Sequence, residues 1–182
     1  MDINISKKAR FSTLLKFAIP DQQTIPDFNA DEGEIAYRYE DHLTIIYCGL
    51  GSTDTITTTK VRCSAAKGIQ KALDLKRTEV SIIIEGTLCS PQHSRAVIEG
   101  IILGSYKFDK YKSETARKIQ HIEIIGSPLN AADLKKTKSI ACAVNYARDL
   151  VNSNAHEITP YYLEKEARNL SENKNVSIEI LT

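Results

Sequence analysis

The apolar residues change period along this chain, and that alternation limits the fold more than any other feature. In Ser12–Ile19, Glu34–Glu40 and His42–Cys48 the pattern reads as strand. Pro20 ends the first, Ile35, Tyr37 and Tyr39 share a face of the second, and the last two are close enough for a hairpin across Glu40–His42. The period then lengthens. Val61, Ala65, Ile69 and Ala72 make one helical stripe, which Asp54 or Thr55 can cap. Val80–Ile84 is a β-branched run expected as a buried strand. Ser90-Pro91 opens a helix carrying Val97, Ile98, Ile101 and Ile102 and stopping near Gly104. Lys118–Ile125 is the next strand, broken by Gly126-Ser127-Pro128.

Asn130 opens the longest helix, which runs to about Asn152 with Asp133 near its positive end and Ile140, Val144, Ala147 and Val151 as its stripe. Thr159-Pro160 starts a further helix with Leu163, Ala167 and Leu170 on one face, and Val176–Leu181 reads as a final strand. Asp21–Glu32 is polar and holds Pro26, so it reads as a loop. Strands interleaved with helices predict an α/β fold with a mixed, mostly parallel sheet covered by helices on both faces. The first three strands lack helices between them, which predicts antiparallel pairing there. The last helix and strand form half of a βαβ unit, so partner strands are expected beyond Thr182.

A chain of 182 residues that is 42% apolar can bury a real core. With 24 Lys and Arg against 23 Asp and Glu it is not a general nucleic-acid binder by charge. No apolar run approaches the roughly 20 residues of a membrane span. Met1–Ile5 lacks the order of a secretory signal, so a cytoplasmic protein is expected. Cys48, Cys63, Cys89 and Cys142 form no C-x-x-C pair and are read as free, mostly buried thiols. The glycosylation triplets at Asn4, Asn169 and Asn175 then mean nothing.

Chemistry is sparse. His42, His93, His121 and His156 show no metal-ligand spacing, and His156-Glu157 reads as loop. Cys89 near His93 at a helix start has the types of an activated thiol but no third group to orient them. Gly49-Leu50-Gly51-Ser52 sits between strand and helix, a context that can bind phosphate through backbone N–H groups, although an ordinary turn is favoured. Lys60, Arg62, Lys67, Lys71, Lys76 and Arg77 load one helix with positive charge, and Lys107, Lys110, Lys112, Arg117 and Lys118 follow the next. These read as solvated faces and salt links before they read as a DNA patch. The Tyr37/Tyr39 and Tyr106/Tyr111 pairs read as core or interface residues.

Two stretches carry more. Glu99-Gly100-Ile101-Ile102-Leu103-Gly104-Ser105-Tyr106-Lys107-Phe108-Asp109-Lys110-Tyr111-Lys112 resembles the E-G-x-x-L-G-x-Y-x-F-x-x-Y-K signature of the leucyl (cytosol) aminopeptidases. Ala147-Arg148-Asp149-Leu150-Val151-Asn152, followed by Thr159-Pro160 and Leu163, resembles that family's entry into its catalytic domain. Gly33-Glu34 and Gly49-Leu50-Gly51 suit its early strands, while Ser153-Asn154-Ala155-His156-Glu157 departs from its usual proline-containing turn.

The resemblance implies a macro-domain-like N-terminal domain over 1–129, a linker helix over 130–152 and the beginning of a metallopeptidase domain over 153–182. It implies a hexamer acting on peptides, with two divalent ions (zinc, manganese or magnesium) in the full-length enzyme. The family's metal ligands lie in K-G-x-x-x-D-x-G-G and N-T-D-A-E-G-R motifs, neither of which occurs here. No catalytic, cofactor-binding or metal-ligating residue is therefore assigned in this chain, which is expected to be inactive alone. The implied role is support or regulation of the assembly. The alternative is a macro-like module that binds ADP-ribose, another nucleotide or DNA.

Overall fold

The computed structural model describes residues 1–20, 25–114, 117–172 and 175–181. In chain order the elements are β1 (Asp2–Ser6), β2 (Thr13–Ala18), β3 (Ile35–Glu40), β4 (Leu43–Gly49), α1 (Thr58–Asp74), β5 (Glu79–Ile83), α2 (Pro91–Gly104), β6 (His121–Ile125), α3 (Ala131–Asn152) and α4 (Pro160–Ser171). The strands form one six-stranded sheet in the order β1-β6-β5-β2-β4-β3. The chain divides into two compact units, Met1–Val144 and Asn145–Thr182.

The mixed, mostly parallel sheet agrees with the sequence, but its pairing corrects one expectation. Only β3 and β4 pair antiparallel, with Ile35 opposite Cys48 and Glu40 opposite Leu43. β2 lies parallel to β4, with Thr13 opposite Thr44 and Ala18 opposite Gly49. β3 runs back against them and returns the chain to the starting end of the sheet, so that β4 can lie parallel to β2. Part of the expected loop, Asp21–Thr24, lies outside the described residues. β1 was not foreseen at all. It pairs parallel with β6, Asp2 opposite His121 and Ser6 opposite Ile125.

Side-chain alternation divides the sheet chemically. Leu15 of β2 and Cys48 of β4 pack against α1 at Gly68, where a Cβ would come within 2.6 Å of the leucine and 2.4 Å of the sulfur. Val61, Ala65, Ile69 and Ala72, the predicted stripe, are fully buried there. Their cluster takes in Val80 and Ile82 of β5, Val97, Ile98 and Ile101 of α2, and Ile122 and Ile124 of β6. A smaller cluster joins Ala18 to Phe28 and Ala30 of the β2–β3 connection.

Capping follows local chemistry. Thr57, not Asp54 or Thr55, caps α1, its hydroxyl accepting from the Lys60 N–H at 3.3 Å. The two expected caps lie in a short 3-10 turn, Thr53–Thr55, that precedes the helix. Ser90, Asn130 and Thr159 cap the other helices as their sequences predict, accepting from His93, Asp133 and Tyr162.

The apolar faces of the last two helices are exposed, and two further expectations fail, the terminal strand and the mostly buried thiols. The predicted α3 stripe faces solvent: Ile140, Val144 and Val151 are exposed, while Thr137 and Ala141 are buried. Leu163 and Leu170 of α4 are exposed too. Helical spacing marks an apolar face without saying what covers it. Residues 176–181 form no strand, because alternation supplies a strand's face while pairing needs a neighbour. All four thiols are free, but only Cys48 is buried.

Candidate functional site

The sequence-predicted candidates separate in space. His42 sits in the β3–β4 turn, His121 opens β6 beside the Phe11 ring at 6.4 Å, and His156 is exposed in the second unit. Cys89 and His93 do not engage each other. The thiol donates to the Ile84 carbonyl at 3.4 Å, and the imidazole Nδ1 lies 3.0 Å from the Thr87 carbonyl. The reactive-thiol reading ends there. Burial against apolar neighbours pushes the Cys48 thiol well above its ordinary pKa, which keeps it protonated and unreactive.

The glycine turn after β4 is no phosphate cradle, because its donors are already used. The Gly49 N–H bonds the Glu34 carbonyl at 2.8 Å, Leu50 N–H the Ala18 carbonyl at 3.0 Å and Gly51 N–H the Ala30 carbonyl at 2.9 Å. Glu34 in turn accepts from Asn29 and Asp31 N–H through one carboxylate oxygen. A Cβ on Gly49 would lie 2.1 Å from the Asp31 carbonyl oxygen. Gly33-Glu34 and Gly49-Leu50-Gly51 are therefore two halves of one interlock.

The basic residues of α1 are also engaged. Lys60 pairs with Glu32 at 3.0 Å, and Arg62 with Glu99 at 2.8 Å. Lys67 donates to the Gly33 carbonyl, and Lys71 lies 4.4 Å over the Tyr37 ring. After α2, Lys118 pairs with Asp109 at 3.1 Å. Tyr37 and Tyr39 are exposed on edge strand β3, edge to face at 5.8 Å. Burial raises the Tyr47 phenol pKa against the lowering effect of Arg38. Among the described residues no group of three or more His, Cys, Asp and Glu is placed to hold a metal ion, so the implied dinuclear centre does not fit this part of the architecture.

The arrangement best suited to a ligand was not foreseen. From β2 the chain leaves toward β3 and β4, while from neighbouring β5 it leaves through α2 toward β6. Diverging connections open a crevice beyond the carboxyl ends of adjacent parallel strands. A cleft of about 380 Å³ lies there, between Lys16, Phe17 and Ile19 on one side and Glu85, Gly86 and Leu88 on the other. Gly86 has φ +57° and open space where a Cβ would stand, so the turn shows bare backbone to the cleft. Glu85-Gly86 directly after a strand was the available signal. A second hollow, about 350 Å³, follows one side of α3 from Ala131 to Cys142 and is lined by that helix alone.

The model of the N-terminal domain of the cytosol aminopeptidase family matches residues 9–115, more than half of the chain. This chain belongs to the cytosol aminopeptidase family. It is 30% identical over 169 residues to a probable cytosol aminopeptidase of Protochlamydia amoebophila, covering 87% of this chain and 34% of the relative. A counterpart in Nitratidesulfovibrio vulgaris is 27% identical over 175 residues, again covering 34% of that protein. The chain thus spans about a third of the length of these relatives. In fold it is similar to a mutant tomato leucine aminopeptidase, with a TM-score of 0.83 at 17% identity over 96% of this chain and 43% of that one. It is also similar to the bottromycin maturation enzyme BotP, with a TM-score of 0.78 at 20% identity over 91% of this chain and 38% of that one.

The aminopeptidase signature itself turns out to be a packing device. Glu99 holds Arg62 of α1, and a Cβ on Gly100 would lie 2.2 Å from the Arg62 carbonyl oxygen. One turn on, a Cβ on Gly104 would meet the Ala66 backbone at 2.6 Å. Past the helix, Phe108 and Tyr111 meet edge to face at 5.6 Å. The conserved-looking string sets how closely two helices approach.

Proposed function

We propose that this chain is the N-terminal, non-catalytic part of a cytoplasmic dinuclear-metal aminopeptidase that releases amino acids from the N-termini of peptides. Residues 1–129 form its macro-like domain, 130–152 the linker helix and 153–182 the start of the metallopeptidase domain. Two divalent ions, zinc, manganese or magnesium, belong to the part of the relatives' length that this chain does not span. The observation carrying the reading is the family signature, which resolves into the contact between α1 and α2 and into no reactive group. A region whose family-defining residues serve packing suits a scaffold that supports a hexamer or regulates access to its active sites.

The test is direct. The purified chain, given manganese and a leucine amide, is expected to release no leucine above a protein-free control. Steady release that depends on the metal would overturn the non-catalytic assignment. The ADP-ribose, nucleotide and DNA readings have less behind them, because the basic residues of α1 are held by the protein's own groups and the glycine turn has spent its donors. A DNA affinity that falls by several counterions' worth on adding salt would restore the DNA reading.

A further inference from the structure

We propose that the crevice between the ends of β2 and β5 binds a small zwitterion with an apolar body, of the amino-acid or dipeptide class. The position is where open sheets with parallel strands gather ligands, and the volume of about 380 Å³ lies at the lower end of small-molecule sites.

The lining sets the class. Lys16 and Glu85 both line this cleft, and neither has an ion pair or side-chain hydrogen bond among the described residues. That contrasts with the basic residues of α1, several of which are engaged by the protein itself. The two charged groups leave the wall neutral overall, with one cation for a carboxylate and one anion for an ammonium. A di- or triphosphate would meet a single lysine and be repelled by the carboxylate, and in the neighbouring turn the N–H groups of Gly49, Leu50 and Gly51 are already bonded. Between the charges, Phe17, Ile19, Leu50 and Leu88 supply an apolar wall that suits a leucine-sized side chain. The exposed turn at Gly86-Thr87 adds backbone polar groups at the rim.

This site does not rest on the peptidase reading. Failure of zwitterion binding leaves the scaffold role standing, and peptidase activity in this chain would leave the crevice as it is.

Amide NMR titration of the whole chain with L-leucine and L-leucyl-glycine tests the assignment. Binding at around 1 mM is expected, with shifts centred on Lys16, Gly86 and Thr87. N-acetyl-leucine and leucinamide, each lacking one charge, are expected to bind about tenfold more weakly. Lys16→Met should abolish the preference for leucine over leucinamide, and Glu85→Gln the preference for leucine over N-acetyl-leucine. Unchanged amide signals in β1 and β6 would show that both variants keep the fold. No shifts at the crevice, or equal binding of the blocked analogues, overturns the proposal. So does tighter binding of ADP than of leucine at the same amides, which would assign the crevice to phosphates.

Discussion

Glu123 shows how much one side chain can organise. It is 4% exposed in the middle of the sheet, flanked in register by Asn4 and Ser81. Its carboxylate accepts from the Arg10 N–H at 3.0 Å and the Ser81 hydroxyl at 3.4 Å, and pairs with the Arg10 guanidinium at 2.6 Å. Ser81 in turn accepts from the Phe11 N–H at 3.3 Å. One carboxylate thus pins the passage from edge strand β1 to central strand β2. Arg10 itself is largely exposed, so its loss of a partner costs little, and the cost of Glu123→Leu is mainly the orphaned donors. A loss of about 2 to 3 kcal/mol is expected, read as a lower urea midpoint at unchanged slope. An unchanged midpoint would show that the passage is held by something else. Tyr146 offers a second residue-scale test. Its hydroxyl donates to Glu166, and that bond, with a smaller contribution from burial, pushes its pKa up to about 12 from an ordinary value of 10.0. A raised phenol pKa adds stability that is complete below pH 10 and fades as pH climbs toward 12. Phenolate absorbance should show one tyrosine titrating late, and Glu166→Gln should return it to the common range.

At the scale of elements, the contact of α1 with α2 is set by what is missing. Gly100 and Gly104 leave no Cβ between the helices, and the neighbours they face are backbone, which cannot rotate away. Gly104→Ala is expected to destabilise the first unit by about 3 kcal/mol, despite alanine's better helix propensity of about 1 kcal/mol. Thermal unfolding checks the sign: a variant more stable than the parent would mean that propensity wins and the helices can separate freely. Existence and type of most elements were legible, because strong periodicity and cap chemistry are local. Ser90-Pro91, Asn130 and Thr159-Pro160 each act within three residues of themselves. Asp2–Ser6 does alternate polar and apolar residues, but with only two apolar positions its status as a strand comes from β6. The exposure of the α3 and α4 faces was not legible, because spacing carries no information about the covering partner.

For the whole molecule, the family was readable from its signatures, whereas the crevice was not. Lys16 in β2 and Glu85 just past β5 lie far apart in sequence, beside two strands whose adjacency depends on the crossover of the chain, and no local pattern announces that. The parallel register of β2 and β4 was hidden for the same reason. The pairing of β1 with β6 also shapes the molecule's history. Asp2 is made well before its ladder partner His121, with four strands and two helices of the first unit between them. The sheet therefore cannot close at that edge until β6 has been made, and the nascent chain carries an unpaired β5 flank until β6 arrives to fill it. Translation that stalls before His121 leaves an open edge for another nascent chain to take.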